Sequence, residues 1–530
     1  MSQHRVGYIA GEVDTRTFTF VSDLEHFPPR HEYLVIPKVK ERTGEGFRTV
    51  DVLAQVTRIA NYSDIIGEKL SLNELQVIME RYGSATKVFG TASILGYIDG
   101  KDVKHPRSAA VPGQEIFIAP TQLLEQFFTR DIESGIDIGG LVTREEVHVR
   151  IDPNGFRKHM AIIAQTGAGK SYLVGLILER LLPMGATIIV FDPNSDYVMM
   201  RKDRNGNSTD ITQDVVIYRP PGVQGRRYTD DEIGGTIDYT IDFSTLTSDE
   251  VADIVGIPPS WAVIREAINQ AVKNLSGVYY PEQLEEQLNQ STSNTNKRLA
   301  GGAKRALTYI KRLKDYKMWG SKDIPLEELI RPKRMSIIDL AGLQSQVSEY
   351  IVDKSLSEMW ALAVTGELKH PIFIVLEEAH NFAPGEFRGK TSYTIERIAA
   401  EGRKFRIFLI VVTQRPKKIS ENVLSQCNSQ IIMRLTNPAD MQAVRQSSER
   451  LSEDLFQDLP GLNRGEAVIV GELTKVPTMV KISGRSSAEG GSDIDVVEAL
   501  SKALKEYALE KQSQLSSLED LRKTHSHSEW

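Results

Sequence analysis

Cysteine is nearly absent from the sequence, and long apolar runs are missing altogether. The lone Cys427 excludes an internal disulfide framework and any zinc site built from several thiolates. No apolar run approaches the roughly 20 residues that would span a bilayer, and the first residues contain no apolar signal core. We therefore expect a cytoplasmic protein without a membrane segment.

Size and charge limit the function less strongly. The chain has 530 residues, 40% of them hydrophobic and 25% charged, which indicates a globular protein of two or three domains. The net charge of −7 neither supports nor excludes nucleic-acid binding, because a ring-shaped enzyme can confine its basic groups to a central channel. Charge alone therefore decides nothing.

Three regions differ in their patterns. Residues 1–150 contain short β-branched and aromatic runs punctuated by Gly and Pro, which predicts a small β-barrel or sandwich interrupted by a helix at Ser71–Tyr82. Residues 151–484 alternate apolar strands with helices, which predicts an α/β domain with a mostly parallel sheet. A polar and helical stretch at about 198–333 is expected to be an insertion outside the sheet. Residues 485–530 are expected to be a flexible linker and a helical tail.

The most informative segment, M-A-I-I-A-Q-T-G-A-G-K-S-Y, ends at Tyr172. An apolar strand enters a glycine-bearing loop that ends in Lys170-Ser171, as in a P-loop that binds ATP. Glycine lets backbone N–H groups point at phosphates, and the helix that follows adds the positive end of its dipole. We expect Lys170 to reach the β- and γ-phosphates and the Ser171 hydroxyl to bind Mg²⁺. The expected nucleotide-binding residues are Thr166, Gly167, Ala168, Gly169, Lys170, Ser171 and Tyr172.

This loop departs from the usual pattern G-x-x-x-x-G-K-[ST] at its first glycine, where the chain has Ala164. Alanine is the smallest available replacement, so we expect a slightly altered loop entrance and an intact site. The alternative is a chance glycine-rich turn between a strand and a helix.

A second motif, P-I-F-I-V-L-E-E-A-H-N-F-A-P at residues 371–384, places two carboxylates after an apolar strand. Open α/β sheets bind ligands at the carboxyl ends of their strands, so we expect this strand beside the P-loop strand. In P-loop ATPases the first acid holds Mg²⁺ and the second orients the attacking water. This predicts a metal role, through water, for Glu377 and a catalytic-base role for Glu378. The alternative is that both acids merely solvate the end of a buried strand.

A third motif, G-R-K-F-R-I-F-L-I-V-V-T-Q-R-P at residues 402–416, has polar residues at both ends of a strand. Gln414 at its carboxyl end is expected to sense the γ-phosphate or the attacking water. Arg403 precedes the strand, at the opposite edge of the sheet from the nucleotide. In a ring it could act as an arginine finger on the nucleotide of a neighbouring subunit. A surface arginine in a salt bridge is the alternative.

Together these motifs resemble the HerA family of hexameric DNA translocases among the RecA-like P-loop ATPases. The matching segments are His159, A-I-I-A-Q-T-G-A-G-K-S, L-E-E-A-H-N-F, E-G-R-K-F-R and T-Q-R-P. The segment A-V-P-G-Q-E-I-F-I-A-P looks like part of the small HAS barrel of that family. The resemblance implies a HAS-like barrel, a RecA-like sheet domain with a helical insertion and a helical tail.

The resemblance also implies a homohexamer that uses ATP and Mg²⁺ to translocate or unwind double-stranded DNA. A NurA-type nuclease would be its partner in DNA-end processing. A nucleotide-gated ring scaffold that assembles and regulates a bacterial defence effector is the alternative. A conjugative or secretion ATPase of the same lineage is less compatible with the sequence, because no membrane segment is present.

Two basic regions are candidates for DNA contact. The loop P-G-E-F-R-G-K-T-S carries Arg388 and Lys390, which we expect to contact DNA phosphates without reading the base sequence. A solvated loop is the alternative. A basic helix further upstream is expected to be a solvated face; its cations are Lys304, Arg305, Lys311, Arg312 and Lys314.

Overall fold

The computed structural model of the chain describes residues 4–43, 46–67, 69–82, 86–129, 134–386, 389–491, 496–497, 500–509 and 511. The chain divides into two units, Met1–Glu489 and Gly490–Trp530. No described helix combines the length and the hydropathy that crossing a membrane requires.

The first unit begins with an antiparallel β-barrel. Its strands are β1 (Arg5–Val13), β2 (Thr17–Ser22), β3 (Tyr33–Thr43), β4 (Gly46–Ser63), β5 (Thr86–Asp99), β6 (Asp102–Lys104) and β7 (Glu115–Ile118). They follow the order β2-β1-β7-β3-β4-β5-β6, and β2 also pairs with β5, which closes the barrel. In β2 the alternation of residues buries Phe18 and Phe20 and exposes the threonines between them. The predicted barrel and the helix that interrupts it, α1 (Leu72–Tyr82), are confirmed.

A large mixed sheet forms the rest of the first unit. Its parallel strands are β10 (Met160–Ile163), β11 (Thr187–Asp192), β12 (Val215–Arg219), β13 (Ile237–Asp238), β16 (Met335–Asp339), β17 (Ile372–Leu376), β18 (Ile407–Thr413) and β19 (Ser429–Met433). Its antiparallel strands are β8 (Ile136–Leu141), β9 (His148–Ile151), β20 (Glu466–Val470) and β21 (Thr478–Ile482). Within the described residues the order is β13-β12-β16-β11-β17-β18-β10-β19-β20-β21-β8-β9. The short strands β14 (Ile241–Asp242) and β15 (Trp319–Gly320) pair separately.

Both faces of this sheet are covered, which explains why its strands are continuous apolar runs. Successive residues of β10 enter opposite cores, with Met160 and Ile162 in one and Ala161 and Ile163 in the other. The helices of the first unit that follow α1 are α2 (Thr121–Phe128), α3 (Lys170–Leu181), α4 (Ser248–Ile254), α5 (Ala262–Lys273), α6 (Pro281–Ser291), α7 (Lys297–Ile310), α8 (Leu326–Leu329), α9 (Ser345–Val364), α10 (Lys390–Glu401), α11 (Glu421–Leu424), α12 (Pro438–Ser447) and α13 (Glu453–Asp458).

Some strands lie elsewhere than the sequence pattern indicates. Helices α4 to α8 fall within the range predicted as an insertion, but β12 falls there too and pairs in parallel with β16 inside the sheet. The expectation that the whole range stands outside the sheet is therefore wrong for this strand and for β13, which pairs with it, because pairing between distant segments is not visible in the local pattern. Strands β8 and β9 begin before residue 151 and still extend the large sheet. The division of the chain at residues 150 and 484 stays a prediction.

The segment Arg485–Ala488 was expected to begin a flexible linker but packs on α3. The buried Arg485 guanidinium donates to the carbonyl oxygens of Ser171 and Ala488 at 2.8 and 2.7 Å. The Glu179 carboxylate accepts from the backbone N–H groups of the two serines that follow Arg485, at 2.8 and 2.9 Å. The glycine- and serine-rich composition of this segment predicts flexibility. The prediction fails because the carboxylate that holds the segment is about three hundred residues away in the sequence. In the second unit, residues 500–509 are helical, as predicted for the tail.

Candidate active site

The loop between β10 and α3 has the backbone geometry of an anion cradle. Gly167 and Gly169 have φ angles of 77° and 105°, a region that favours glycine. Gly169 caps α3, whose first N–H groups have no partner within the helix and are free for an anion. Ala164 replaces the first glycine of the usual pattern, and its N–H donates to the Thr413 carbonyl oxygen at 3.2 Å. The alanine thus continues the strand pairing, and that position does not need glycine.

Lys170 lies at the first position of α3 and contacts both predicted catalytic acids. Its Nζ atom is 2.6 Å from Glu377 Oε1 and 2.6 Å from Glu378 Oε1. Burial acts to lower the pKa of Lys170, but the two carboxylates more than offset this, and the pKa is raised. The ammonium is therefore charged and held in place before any substrate is bound.

The strand order differs from the sequence expectation at this point. The two acids follow β17, and β18 lies between β17 and β10. The prediction that the carboxylate strand lies directly beside the P-loop strand is wrong, because local pattern identifies the edge of a sheet but not the order of its strands. The long Lys170 side chain bridges the gap.

Glu378 has a left-handed backbone, with φ 48° and ψ 48°. Consecutive residues of an extended strand point to opposite faces, so Glu377 and Glu378 could not both reach one ammonium if β17 continued straight. The left-handed turn lets both carboxylates meet Lys170. A non-glycine residue in this conformation costs about 1–3 kcal/mol, and such strain is typical of functional sites.

A group of polar side chains after β11 completes the pocket and was missed by sequence reasoning. The Ser171 hydroxyl donates to Asp196 Oδ2 at 2.9 Å, and the Tyr197 hydroxyl donates to Glu377 Oε2. The Asp192 carboxylate accepts from the N–H groups of Asp196 and Tyr197 at 3.0 and 2.9 Å. The signal was present, since β11 ends in an acid at the same edge as β17.

The electrostatics of this group follow from its burial. Burial and the charge of Glu377 raise the pKa of Asp196 to about 6. Burial and the neighbouring acids Asp196 and Asp339 raise the pKa of Asp192 well above its ordinary value. Buried acids as close together as Asp196 and Glu377 favour a bound cation.

The donor set fits Mg²⁺. Among the described residues, no cluster of three or more His, Cys, Asp or Glu side chains is arranged to hold a metal alone. Mg²⁺ in nucleotide sites typically uses one or two carboxylates together with substrate phosphates and water, so such a cluster is not needed. The Ser171 hydroxyl, Asp196 and Glu377 supply oxygen donors at the end of the P-loop.

Gln414 and His380 line the same edge. The Thr166 hydroxyl donates to Gln414 Oε1, so the predicted sensor contacts the P-loop directly. His380 Nδ1 is 3.3 Å from Glu378 Oε2 and 3.2 Å from the Thr413 hydroxyl. Burial, with Arg415 and other nearby cations, lowers the pKa of His380 to about 4, so the imidazole is neutral at neutral pH.

The predicted arginine finger lies at the other edge of the sheet. Arg403 is exposed in the turn Gly402–Phe405, which precedes β18. The strand β18 spans roughly 20 Å, so Arg403 cannot reach the P-loop of its own chain. Its neighbour His159 is buried, has φ 55° and accepts at Nδ1 from the Leu409 N–H at 2.9 Å.

One of the two predicted DNA contacts can be placed. Lys390 begins α10 and its Nζ is 3.2 Å from Asp353 Oδ2, with 66% of the lysine side chain exposed. Arg388 lies outside the described residues.

The sequence of this chain is similar to those of known DNA helicases. Residues 136–359 match the family described as "Helicase HerA, central domain". The DNA double-strand break repair helicase HerA of Pyrococcus furiosus is 28% identical, with 94% of this chain and 97% of that protein aligned. The protein of the same name from Sulfurisphaera tokodaii is 28% identical over 86% of this chain and 90% of its own length. The chain is similar to HerA helicases over nearly its whole length.

Among solved structures, the bacterial conjugative coupling protein TrwBdeltaN70 matches 71% of this chain and 94% of its own, with 14% identity and a TM-score of 0.49. Within the chain, the family match contains the P-loop and β11 but ends before Glu377, Arg403 and Gln414.

Tyr172 has a more crowded setting than the motif indicated. Two guanidinium groups contact its ring, with Arg204 Cζ at 6.0 Å and Arg485 Cζ at 5.8 Å from the centroid. Its hydroxyl accepts from the Arg485 N–H at 3.0 Å. A Cβ on Gly175 would lie 2.3 Å from Arg485 Cζ, so glycine within α3 makes room for this arginine. That glycine was the one signal in the sequence for a side chain packed against the P-loop helix.

Proposed function

We propose that this HerA-like protein is an ATP-driven motor that translocates or unwinds double-stranded DNA as a homohexamer. The placement of Lys170 between Glu377 and Glu378 at the P-loop carries the proposal. The names of its relatives, DNA double-strand break repair helicases, support DNA as the track.

The chemistry within one chain follows from these contacts. Lys170 exchanges its two carboxylates for β- and γ-phosphate oxygens when substrate enters, which leaves Glu378 without its cation. Glu378 then orients a water molecule and accepts its proton as the water oxygen bonds to the γ-phosphorus. The bond from that phosphorus to the β,γ-bridging oxygen breaks, and ADP leaves with the electron pair.

Three further groups support this step. Ser171, Asp196 and Glu377 would hold Mg²⁺, the last through water, and the ion would neutralise charge on the phosphate oxygens. Gln414, bonded to Thr166 of the P-loop, is positioned to report the state of the γ-phosphate.

Ring formation is part of the proposal. Arg403 is exposed and forms no ion pair among the residues that the structure describes, so its guanidinium is available to another subunit. In a hexamer it would stabilise charge on the phosphoryl group of the neighbour.

The motor and a second candidate function differ in the partners that the ring would bind. In the motor, Arg388 and Lys390 contact DNA phosphates, and a NurA-type nuclease or another effector receives the DNA. The ion pair between Lys390 and Asp353 restrains a cation that the motor would need for contact with DNA. This observation favours the second candidate, a nucleotide-gated ring scaffold for a bacterial defence effector. An ammonium has three donors, however, so two remain for a phosphate.

The test combines hydrolysis with movement. ATP hydrolysis by the purified protein would be measured with and without duplex DNA, together with displacement of a third strand from a DNA triplex. We expect DNA-stimulated hydrolysis and ATP-dependent displacement, both abolished by Lys170→Ala and retained by the exposed control Lys273→Ala. Hydrolysis without displacement would favour the scaffold, and absence of hydrolysis would overturn both.

A further inference from the structure

Helix α7 and the turn after it carry a regular row of cations. Lys-Arg pairs recur at seven-residue intervals, nearly two helical turns, so the pairs are roughly 10 Å apart on one side of the helix and together span roughly 20 Å. We name this row the α7 basic stripe; it consists of Lys297, Arg298, Lys304, Arg305, Lys311 and Arg312.

The stripe occupies the solvent side of α7. All six cations are exposed, and the opposite side of the helix, including Ala303, Ala306 and Ile310, is buried. Between the cations lie the small residues Gly301 and Thr308, which are also exposed. A long ligand lying along the helix would therefore meet small side chains at these two positions.

Gly301 has no packing reason to be glycine. A Cβ at this position would meet no atom within 4 Å, whereas a Cβ on the adjacent Gly302 would lie 2.6 Å from the Val263 carbonyl oxygen. Glycine inside a helix is less favourable than alanine at the same position. The open position therefore lowers helix stability and keeps the middle of the stripe flat.

The stripe has no compensating acids. No Asp or Glu occurs between Lys297 and Lys314, although the whole chain has a net charge of −7. The six cations form no ion pair within the described residues, whereas Lys314 at the end of the stripe pairs with Glu285. An unpaired row of this kind is available to an external anion.

Folding stability does not explain the first pair. Lys297 and Arg298 lie in the first turn of α7, where cations oppose the helix dipole. A phosphate bound to these two side chains would offset that cost, because it neutralises their charge and is itself attracted to the helix amino terminus.

The arrangement favours an extended polyanion over a protein partner. Protein interfaces are depleted in lysine at their core and enriched in aromatic residues, whereas protein–DNA interfaces are much more positive. Two aromatic residues lie beside the stripe: Tyr309 is half-buried, with Arg312 Cζ 5.5 Å from its ring centroid, and Trp261 is 42% exposed, with its ring centroid 5.8 Å from that of Tyr309. The six cations of the stripe outnumber these two aromatic side chains. We propose that the α7 basic stripe binds the phosphate backbone of double-stranded DNA.

This contact is separate from the loop at residues 388–390 and replaces the expectation of a solvated face. The proposal deepens the proposed function, because it rests on DNA as the track of the motor, but it requires no hydrolysis of ATP. Binding to a labelled duplex therefore tests it in the absence of nucleotide.

The experiment measures fluorescence anisotropy of a labelled DNA duplex with the full chain over a range of salt concentrations. The triple variant Arg298→Ala, Arg305→Ala and Arg312→Ala should bind at least about tenfold more weakly at low salt. The slope of log K against log salt should become shallower by roughly 0.9 for each lost phosphate contact. A charge-retaining Arg→Lys triple variant should bind nearly as the natural chain does.

The matched control removes three cations that are paired with acids elsewhere. Lys87, Lys104 and Lys481 pair with Asp64, Asp99 and Glu145. Their triple alanine variant has the same net charge as the stripe variant and should keep the affinity and salt slope of the natural chain.

Equal affinity and slope for the stripe variant and the control would overturn the proposal. Loss of binding to poly-glutamate with unchanged DNA binding would also overturn it and would assign the stripe to an acidic protein partner. Lys170→Ala should leave the stripe-dependent binding intact. A chain that binds DNA through the stripe but never hydrolyses ATP would refute the proposed motor and leave this inference standing.

Discussion

The two edges of the large sheet hold their charges in opposite ways. At the carboxyl edge, Lys170 is buried and pairs with Glu377 and Glu378 inside one chain. At the amino edge, Arg403 is exposed and unpaired within the described residues, and His159 beside it is buried and neutral. The cation of the carboxyl edge is thus paired within its own chain, whereas the cation of the amino edge faces solvent.

This difference separates two kinds of catalytic group. A lysine held between two acids is preorganised. Its side chain is already ordered at the P-loop, so little conformational entropy is lost when substrate binds. An exposed arginine keeps its solvation and can be redirected to a neighbouring molecule at little cost. The carboxyl edge should therefore determine chemistry within a chain, and the amino edge should matter only in the assembly.

After the loss of activity expected for Lys170→Ala, the largest effect comes from Arg403→Ala. An arginine finger contributes about 10³-fold or more to kcat, so hydrolysis by the assembled protein should fall by about that factor. The free energy of unfolding should change by less than about 0.5 kcal/mol, because the side chain is exposed. The checks are steady-state ATPase assays and thermal denaturation.

The control for this prediction is Lys404→Ala, which removes an exposed cation from the same turn. It should leave kcat nearly unchanged. Mixing Arg403→Ala subunits with Glu378→Gln subunits should restore part of the activity, since some interfaces then contain both natural residues. No rescue at any mixing ratio would count against a finger acting between subunits.

Glu378→Gln tests the carboxyl edge of the sheet. Loss of the proton acceptor should lower kcat by about 10²- to 10³-fold, while nucleotide binding is retained because the amide keeps the shape of the side chain. Kinetics combined with binding of a fluorescent nucleotide would separate the two effects. Glu386→Gln, an exposed acid of the same segment, is the control. A kcat within a few-fold of the natural value would remove Glu378 from its proposed role.

His159→Gln tests the neutral group of the amino edge. Burial, with some help from Arg403, lowers the pKa of His159 from 6.5 to about 4. The unfolded chain then binds the proton more tightly, so this residue makes stability fall as pH drops from about 6.5 to about 4, by about 3 kcal/mol.

Glutamine does not titrate, and its amide oxygen can still accept from the Leu409 N–H. Denaturant titrations at a series of pH values should show a smaller acid-induced loss of stability in His159→Gln. The exposed control His105→Gln should retain the full loss. Identical pH profiles for both variants would show that the buried imidazole does not set this dependence.

The smallest effect is expected for Lys390→Ala, a cation that is paired yet exposed. Its ion pair with Asp353 contributes less than about 1 kcal/mol to folding, as is typical of exposed pairs. DNA-stimulated ATPase should fall by only a few-fold, because one of several phosphate contacts is lost. Stimulation that stays at the natural level would remove Lys390 from the DNA surface.

Local pattern predicted what local physics determines. The apolar runs of β10, β11, β17 and β18 and the helix α1 are confirmed, because their periodicity arises from burial of neighbouring residues. The P-loop and the two acids follow those strands, and the structure brings Lys170 and Glu378 together, although their catalytic roles stay predictions.

Non-local contacts could not be predicted in the same way. The order that places β18 between β17 and β10 depends on pairings between distant segments. The contact of Ser171 with Asp196 joins the first turn of α3 to the loop after β11, two segments that look unrelated in sequence. The left-handed conformation of Glu378 follows from the need of two consecutive acids to meet one ammonium, which only the assembled pocket reveals.

The strap formed by Arg485–Ala488 has a practical consequence for shortening the chain. Because Arg485 holds the Ser171 carbonyl oxygen and the Tyr172 hydroxyl, a version that stops at Gly484 should lose order in the first turn of the P-loop helix. A version that stops just after Glu489 keeps these bonds. Five residues thus separate a truncation that should impair nucleotide affinity from one that should preserve it.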